Sequence, residues 1–200
     1  MTHGKPLPSS PAMQPPGDSS IGATLVVCLG LSQLVAWGTM HYLIAVFGRP
    51  IGQEMGWSAA FVQGGFSLAL VVMGGASALA GRWIDAQGGR AAMMTGCWIG
   101  AAGCALLATT TGAAQYLAGW ALLGLGMRLA LYDAAFAALA HLGGAASKRA
   151  MSQITLFGGL ASTVFWPLGQ ALAQALGWRG ALGVYALFLL LASGLHLAIP

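Results

Sequence analysis

Charge is what this sequence has least of: four acidic and eight basic side chains in 200 residues, 6% of the chain. An ordinary soluble domain carries about 25% charged residues, so a water-solvated globule is excluded. The formal net charge of +4 rests on too few groups to argue for nucleic acid, and none is expected as a partner. Cysteine is also scarce. Cys28, Cys97 and Cys104 all lie in apolar stretches, where they serve as small packing residues rather than as a disulfide framework. The chain has no spaced His/Cys/carboxylate set, phosphate loop or haem motif, so no metal and no cofactor is expected.

What is there instead is hydrophobic, 58% of the residues, and it falls into runs with few or no charges. Residues 1–20 hold five prolines with Ser, Gly and Lys5, a composition that cannot bury a core and reads as a disordered cytoplasmic tail. The rest, 21–200, reads as one all-α membrane domain. Its predicted helices cover about 21–47, 55–80, 91–109, 114–139, 150–176 and 181–199. Each is long enough to cross the ~30 Å hydrocarbon core. Arg49, Pro50 and Glu54 mark the first turn, Gly81 to Arg90 a polar loop, and Thr109-Thr110-Thr111-Gly112 a break in 37 uncharged residues. His141 to Arg149 and Gly177-Trp178-Arg179 are the remaining turns, and Pro167 should kink the fifth helix.

Lys and Arg set the orientation. With the amino terminus inside, Lys5, Arg82, Arg90, Lys148 and Arg149 are cytoplasmic and Arg49 and Arg179 external, five against two. A multi-pass protein of the cell inner membrane with a cytoplasmic amino terminus follows. Ala92, Gly96, Gly100 and Cys104 recur every four residues and let a neighbouring backbone approach closely. Glycines 64, 65, 74, 75, 124, 126, 158 and 159 are expected to do the same.

The loop Gly-Arg-Trp-Ile-Asp-Ala-Gln-Gly-Gly-Arg, residues 81–90, resembles the signature loop between the second and third helices of the major facilitator superfamily of transporters. Gly81, Asp85, Gly88 and Arg90 match that pattern, while Ala86 stands where a basic residue is usual. The resemblance covers about residues 21–200 and implies one amino-terminal six-helix half of such a transporter, an inverted repeat of three plus three helices. Trp57-Ser58 ahead of a glycine-rich second helix is most similar to the branch of monocarboxylate and oxalate/formate carriers. The resemblance further implies that Asp85 caps a helix of the other half, with Arg82 and Arg90 completing the loop's charge network. Trp120 occupies the position before Gly124-Leu125-Gly126 where the superfamily's helix 4 arginine is expected, so Arg128 does not inherit that role.

Arg128 and Asp133 are the most informative polar residues. An arginine near mid-membrane costs ~2.5–3.5 kcal/mol on insertion scales and must face a partner or a watery cavity. On an unbroken helix the two stand about 140° apart, so they are expected to face different partners, while Tyr132 falls within about 40° of Arg128. Arg128 as an anion-binding group, or Arg128 with Asp133 as a proton relay, stands against a static structural bridge. Gln33, Trp37 and His41, with Tyr42 beside them, form a stripe at helical spacing that either lines the cavity or joins helices, and Trp166 beside Pro167 lines the cavity or packs.

The sequence therefore reads as a secondary transporter of a small solute in a lipid bilayer, with an organic anion as the candidate class and a coupled proton as an option. With one half present, it is expected to be a truncated or half-length chain that needs a second half or a homodimer partner. The rival is a non-transporting scaffold, regulatory partner or inactive remnant. An enzyme is not expected: an intramembrane serine protease needs a Gly-x-Ser-Gly-like nucleophile, helix 4 has no serine, and Ser162 lacks the surroundings.

Overall fold

A computed structural model describes residues 21–143 and 147–200. The tail expected over residues 1–20 lies outside the described residues, as does the 144–146 part of the expected loop at 141–149. Among the described residues every regular element is helical. Four helical runs, Ala23–Met55, Ser77–Ala108, Ala113–Ala140 and Ser147–Ala198, are long and apolar enough to cross a membrane. The protein is a membrane-embedded helical bundle.

The elements are α1 (Ala23–Ala36), a π-helical turn (Trp37–His41), α2 (Leu43–Met55), α3 (Ala59–Gly75), α4 (Ser77–Ala108), α5 (Ala113–Ala130), α6 (Tyr132–Gly143), α7 (Ser147–Gly159) and α8 (Ala161–Leu195). A 3-10 turn, His196–Ala198, follows.

Glycine contacts fix how the rods run. Gly96 abuts Ala130, Gly126 abuts Gly100, Gly103 abuts Leu123, and Gly119 abuts Leu107. Residue numbers rise on α4 as they fall on α5, so the two are antiparallel. Between α3 and α5 the numbers rise together, with Gly65 on Tyr116 and Trp120 and Gly124 on the Ala69 carbonyl. The chain must therefore reverse between α3 and the end of α4, and it does so at Gly88, whose φ of 83° and ψ of 160° suit glycine alone. Gly177 repeats the device in α8, with φ 69° and ψ 167°. Before it, Gly30 meets Phe157 and Gly38 meets Phe165, in parallel with α1. After it, Glu54 meets Trp178 and Ser32 meets His196, in the opposite sense.

Several expected boundaries move. The turn placed at Arg49, Pro50 and Glu54 is helical, and the chain bends instead at Gly56, φ 67°, where α2 ends in a left-handed cap. Pro50 lies inside α2, where it has no N–H to give the Val46 carbonyl. The loop expected from Gly81 to Arg90 is helical apart from the reversal at Gly88. The helix expected without interruption over about 114–139 breaks at Leu131. Around Pro167 the dihedrals stay helical, and the interruption of that rod lies earlier, at Leu160. The break at residues 109–112 falls as read, between α4 and α5.

Between helices in lipid, close backbone packing replaces the hydrophobic drive. Ala92, Gly96, Gly100 and Cys104 are all buried, on the seam that receives α5 and Met40. Of the other glycines expected in contacts, 65, 124, 126 and 158 are pressed on neighbours, whereas 64, 74, 75 and 159 have nothing within 4 Å. Periodicity marked small residues without saying which side of the rod carries a neighbour.

Candidate polar site at a helix break

The site is built on Leu131. Its ψ of −168° ends α5 and starts α6 in a new direction. That change of direction brings Arg128 and Asp133 together: an Nη of Arg128 donates to a carboxylate oxygen of Asp133. The expectation that they face different partners was right for a straight helix and is corrected here, because the rod is not straight. Arg128 is mostly enclosed, its side chain 17% exposed, whereas Asp133 is 54% exposed. Its Nε is buried with no hydrogen-bond partner. A buried guanidinium donor without an acceptor is costly, so the site is chemically unsaturated.

The break also frees backbone. Ala134 N–H turns to the Leu131 carbonyl at 3.2 Å, and the Ala130 carbonyl instead accepts from the buried Gln33 amide at 2.8 Å. Gln33 thus couples α1 to the broken rod. Its Oε1, like Trp37 Nε1, is buried without a partner.

One residue pair further along, the wall is aromatic. Trp37 lies 4.8 Å from His41 and 5.0 Å from Tyr132 between ring centroids. His41 meets Tyr42 at 5.3 Å and Phe66 at 5.2 Å. The Tyr132 hydroxyl donates to Thr155 O at 3.1 Å and lies over Gly158, where a side chain would collide with it. The Trp37–His41 stretch is π-helical, a rare geometry that is frequent at functional sites. Thr39 Oγ1 donates back to Val35 O beside it. Nothing in the 33/37/41 spacing announced the extra residue in that turn.

Of the residues singled out in the sequence, the fold gathers Gln33, Trp37, His41 and Tyr132 into one hydrogen-bonded and aromatic wall around the break that pairs Arg128 with Asp133. Trp166 stands apart, 51% exposed, with no ring contact or hydrogen bond to this group. Arg82, Asp85 and Arg90 are exposed around the Gly88 reversal. There Asp85, Gly88 and Arg90 line a groove of about 400 Å³ with Ile199 and Pro200. Gly81 has open space beside it.

Two features escaped the sequence reading. At the end of the bundle away from Gly88, Glu54 accepts from Trp178 Nε1 at 2.5 Å and from Arg179 Nε at 3.0 Å. Arg179 also donates to Ala108 O at 2.9 Å, so one guanidinium ties three rod ends together. The second is a set of exposed polar side chains on three helices. Gln63 and Ser67 on α3, Ser152, Gln153 and Thr155 on α7, and Thr163, Gln170 and Gln174 on α8 are exposed. Exposed apolar side chains stand among them, Leu70 and Val71 on α3, Leu156 on α7 and Val164, Trp166 and Leu176 on α8, as they do at Trp98, Leu187, Leu190, Leu191 and Leu197. The sequence matches no protein-family model and no curated protein.

Proposed function

We propose that the protein is a secondary transporter that moves a small solute, an organic anion, across the inner membrane, as one six-crossing unit of the facilitator type. The observation that carries this reading is Arg128: an enclosed guanidinium paired with the more exposed Asp133, keeping a buried N–H unmatched. Such a group suits a carboxylate ligand, which offers two acceptors to the guanidinium fork. Asp133, released from Arg128, could take a proton and couple it to the anion.

Reversals at Gly56, Gly88 and Gly177 and the break at residues 109–112 support a reading in three plus three crossings. The exposed Gln63, Gln153, Gln170 and Gln174 carboxamides on α3, α7 and α8 suit a second six-helix unit or a watery path better than lipid tails. That unit, a second copy or a separate half, would complete the cavity. Arg82, Arg90, Lys148 and Arg149 gather at one end of the bundle and Arg49 and Arg179 at the other. That distribution favours a cytoplasmic amino terminus.

The test is uptake by proteoliposomes containing the chain, using labelled monocarboxylates and dicarboxylates with and without an imposed pH gradient. Saturable uptake is expected, and Arg128→Gln should lower it about tenfold or more, since a hydrogen bond to a charged group is worth about 1.5–3 kcal/mol. Uptake unchanged in Arg128→Gln would remove Arg128 from the site. Absence of flux for every anion would leave the non-transporting scaffold as the better reading.

A further inference from the structure

The end of the bundle away from Gly88 holds a second cavity, unrelated to the Arg128 site. It measures about 530 Å³ and lies where the last turns of α2 meet the first turn of α3. That volume is in the range of about 300–1,000 Å³ typical of small-ligand sites. Gly48, Gly52 and Gly56 line it with bare backbone, and Trp57 and Val62 with apolar surface. Its polar groups are Arg49, Gln53 and Gln63.

The charge in this cavity is uncompensated. Arg49 is exposed and makes no ion pair among the described residues. The acid nearest to it in sequence, Glu54, is held by Trp178 and Arg179. Ala59 brings the start of α3 to the same wall. There the Ser58 side chain accepts only from Phe61 N–H, at 3.2 Å, and the other first-turn amides have no acceptor within their own helix. The amino end of α3 and the carboxyl end of α2 meet at this cavity and offset each other, so the Arg49 guanidinium supplies its net charge, with two carboxamides in the same lining.

We propose that this cavity binds an oxyanion, the carboxylate or phosphate of a small molecule or of a lipid head group, through Arg49 with Gln53 and Gln63. The guanidinium fork would hold two oxygens and the carboxamide N–H groups a third. The site lies about three turns of α3, roughly 16 Å, from the level of Arg128. It is therefore a peripheral docking point and does not depend on the transport reading.

Trp57 in the wall supplies the probe. Full-length protein in neutral maltoside micelles is titrated with oxalate, glycerol phosphate and, as the uncharged control, glycerol, following tryptophan fluorescence. In a parallel measurement, phosphatidylglycerol and diacylglycerol carried on the protein are compared by native mass spectrometry. The expected result is saturable binding of the phosphate- or carboxylate-bearing probes alone, weakened about tenfold or more in Arg49→Gln and unchanged in Arg149→Gln at the other end. The fluorescence signal should vanish in Trp57→Phe. Binding of the soluble anions identifies a docking point for free solute. Binding of phosphatidylglycerol alone, with the same Arg49 dependence, identifies a lipid head-group site. Gln53→Leu with Gln63→Leu, which keeps Arg49, should weaken binding as well and guards against a misfolded Arg49→Gln. No saturable binding in either measurement, or equal binding by wild type and Arg49→Gln, overturns the proposal. Neither readout involves flux, so this failure is distinct from failure of the transport assay.

Discussion

Removing either end of the Arg128–Asp133 pair should have unequal effects, and the inequality follows from exposure. Two unit charges about 4 Å apart attract by about 4 kcal/mol at an effective dielectric of 20. Fully exposed pairs retain about 0.2–1 kcal/mol of this and breaking a buried one costs about 3–5 kcal/mol. Here the arginine is the enclosed partner, at 17% exposure against 54% for the aspartate. Asp133→Asn leaves an enclosed cation whose Nε already has no partner, so a cost of about 1.5–3 kcal/mol is expected. Arg128→Met leaves a carboxylate that can stay hydrated, and should cost about 1 kcal/mol or less. The double variant removes the cation together with the need for its counter-ion and should resemble Arg128→Met. The coupling then equals the Asp133→Asn cost, about 1.5–3 kcal/mol. Equilibrium unfolding in mixed micelles with rising dodecyl sulfate measures all four corners of the cycle. Additivity within about 0.5 kcal/mol, or an Asp133→Asn protein more stable than Arg128→Met, would refute the account of the pair.

The helix seam gives a second prediction. A methyl added at Gly124 would stand 2.4 Å from the Ala69 carbonyl, whereas at Gly74 it meets nothing within 4 Å. Gly124→Ala should therefore cost about 1–3 kcal/mol by forcing α3 and α5 apart, with Gly74→Ala near neutral, as read by thermal unfolding in detergent. The third concerns Gln33, whose amide holds the Ala130 carbonyl at 2.8 Å. Gln33→Leu strands that carbonyl and should destabilise by about 1–3 kcal/mol, with faster amide exchange in residues 128–134 measured by mass spectrometry. Stability equal to wild type would show that the break is held by something else.

The helical, membrane-embedded character of the chain was legible from its long unbroken apolar runs, which satisfy their backbone in lipid as helices, whereas barrel strands alternate apolar with polar residues. The break at 109–112 was legible because three threonines and a glycine interrupt an apolar run. The reversal at Gly88 was only half legible. Glycine was visible there, but Arg82, Asp85 and Arg90 suggested a loop, whereas one glycine with φ 83° suffices for the turn. Gln33, Trp37 and His41 lie at helical spacing, yet that spacing gave no sign of the π turn that their segment adopts.

By itself, the sequence determined that the protein lies in a membrane, which residues are charged, and that Arg128 must find a partner, since burial of a cation is costly whatever the fold. Only the tertiary structure decided who that partner is. Angular position along a helix can be computed from residue numbers while the rod is straight. Leu131 bends it, and its bend is held by a hydrogen bond from Gln33, 97 residues away in sequence. Contacts of that separation leave no periodic trace, so the Arg128–Asp133 pair, the wall beside it and the choice of which glycines carry neighbours came from packing alone.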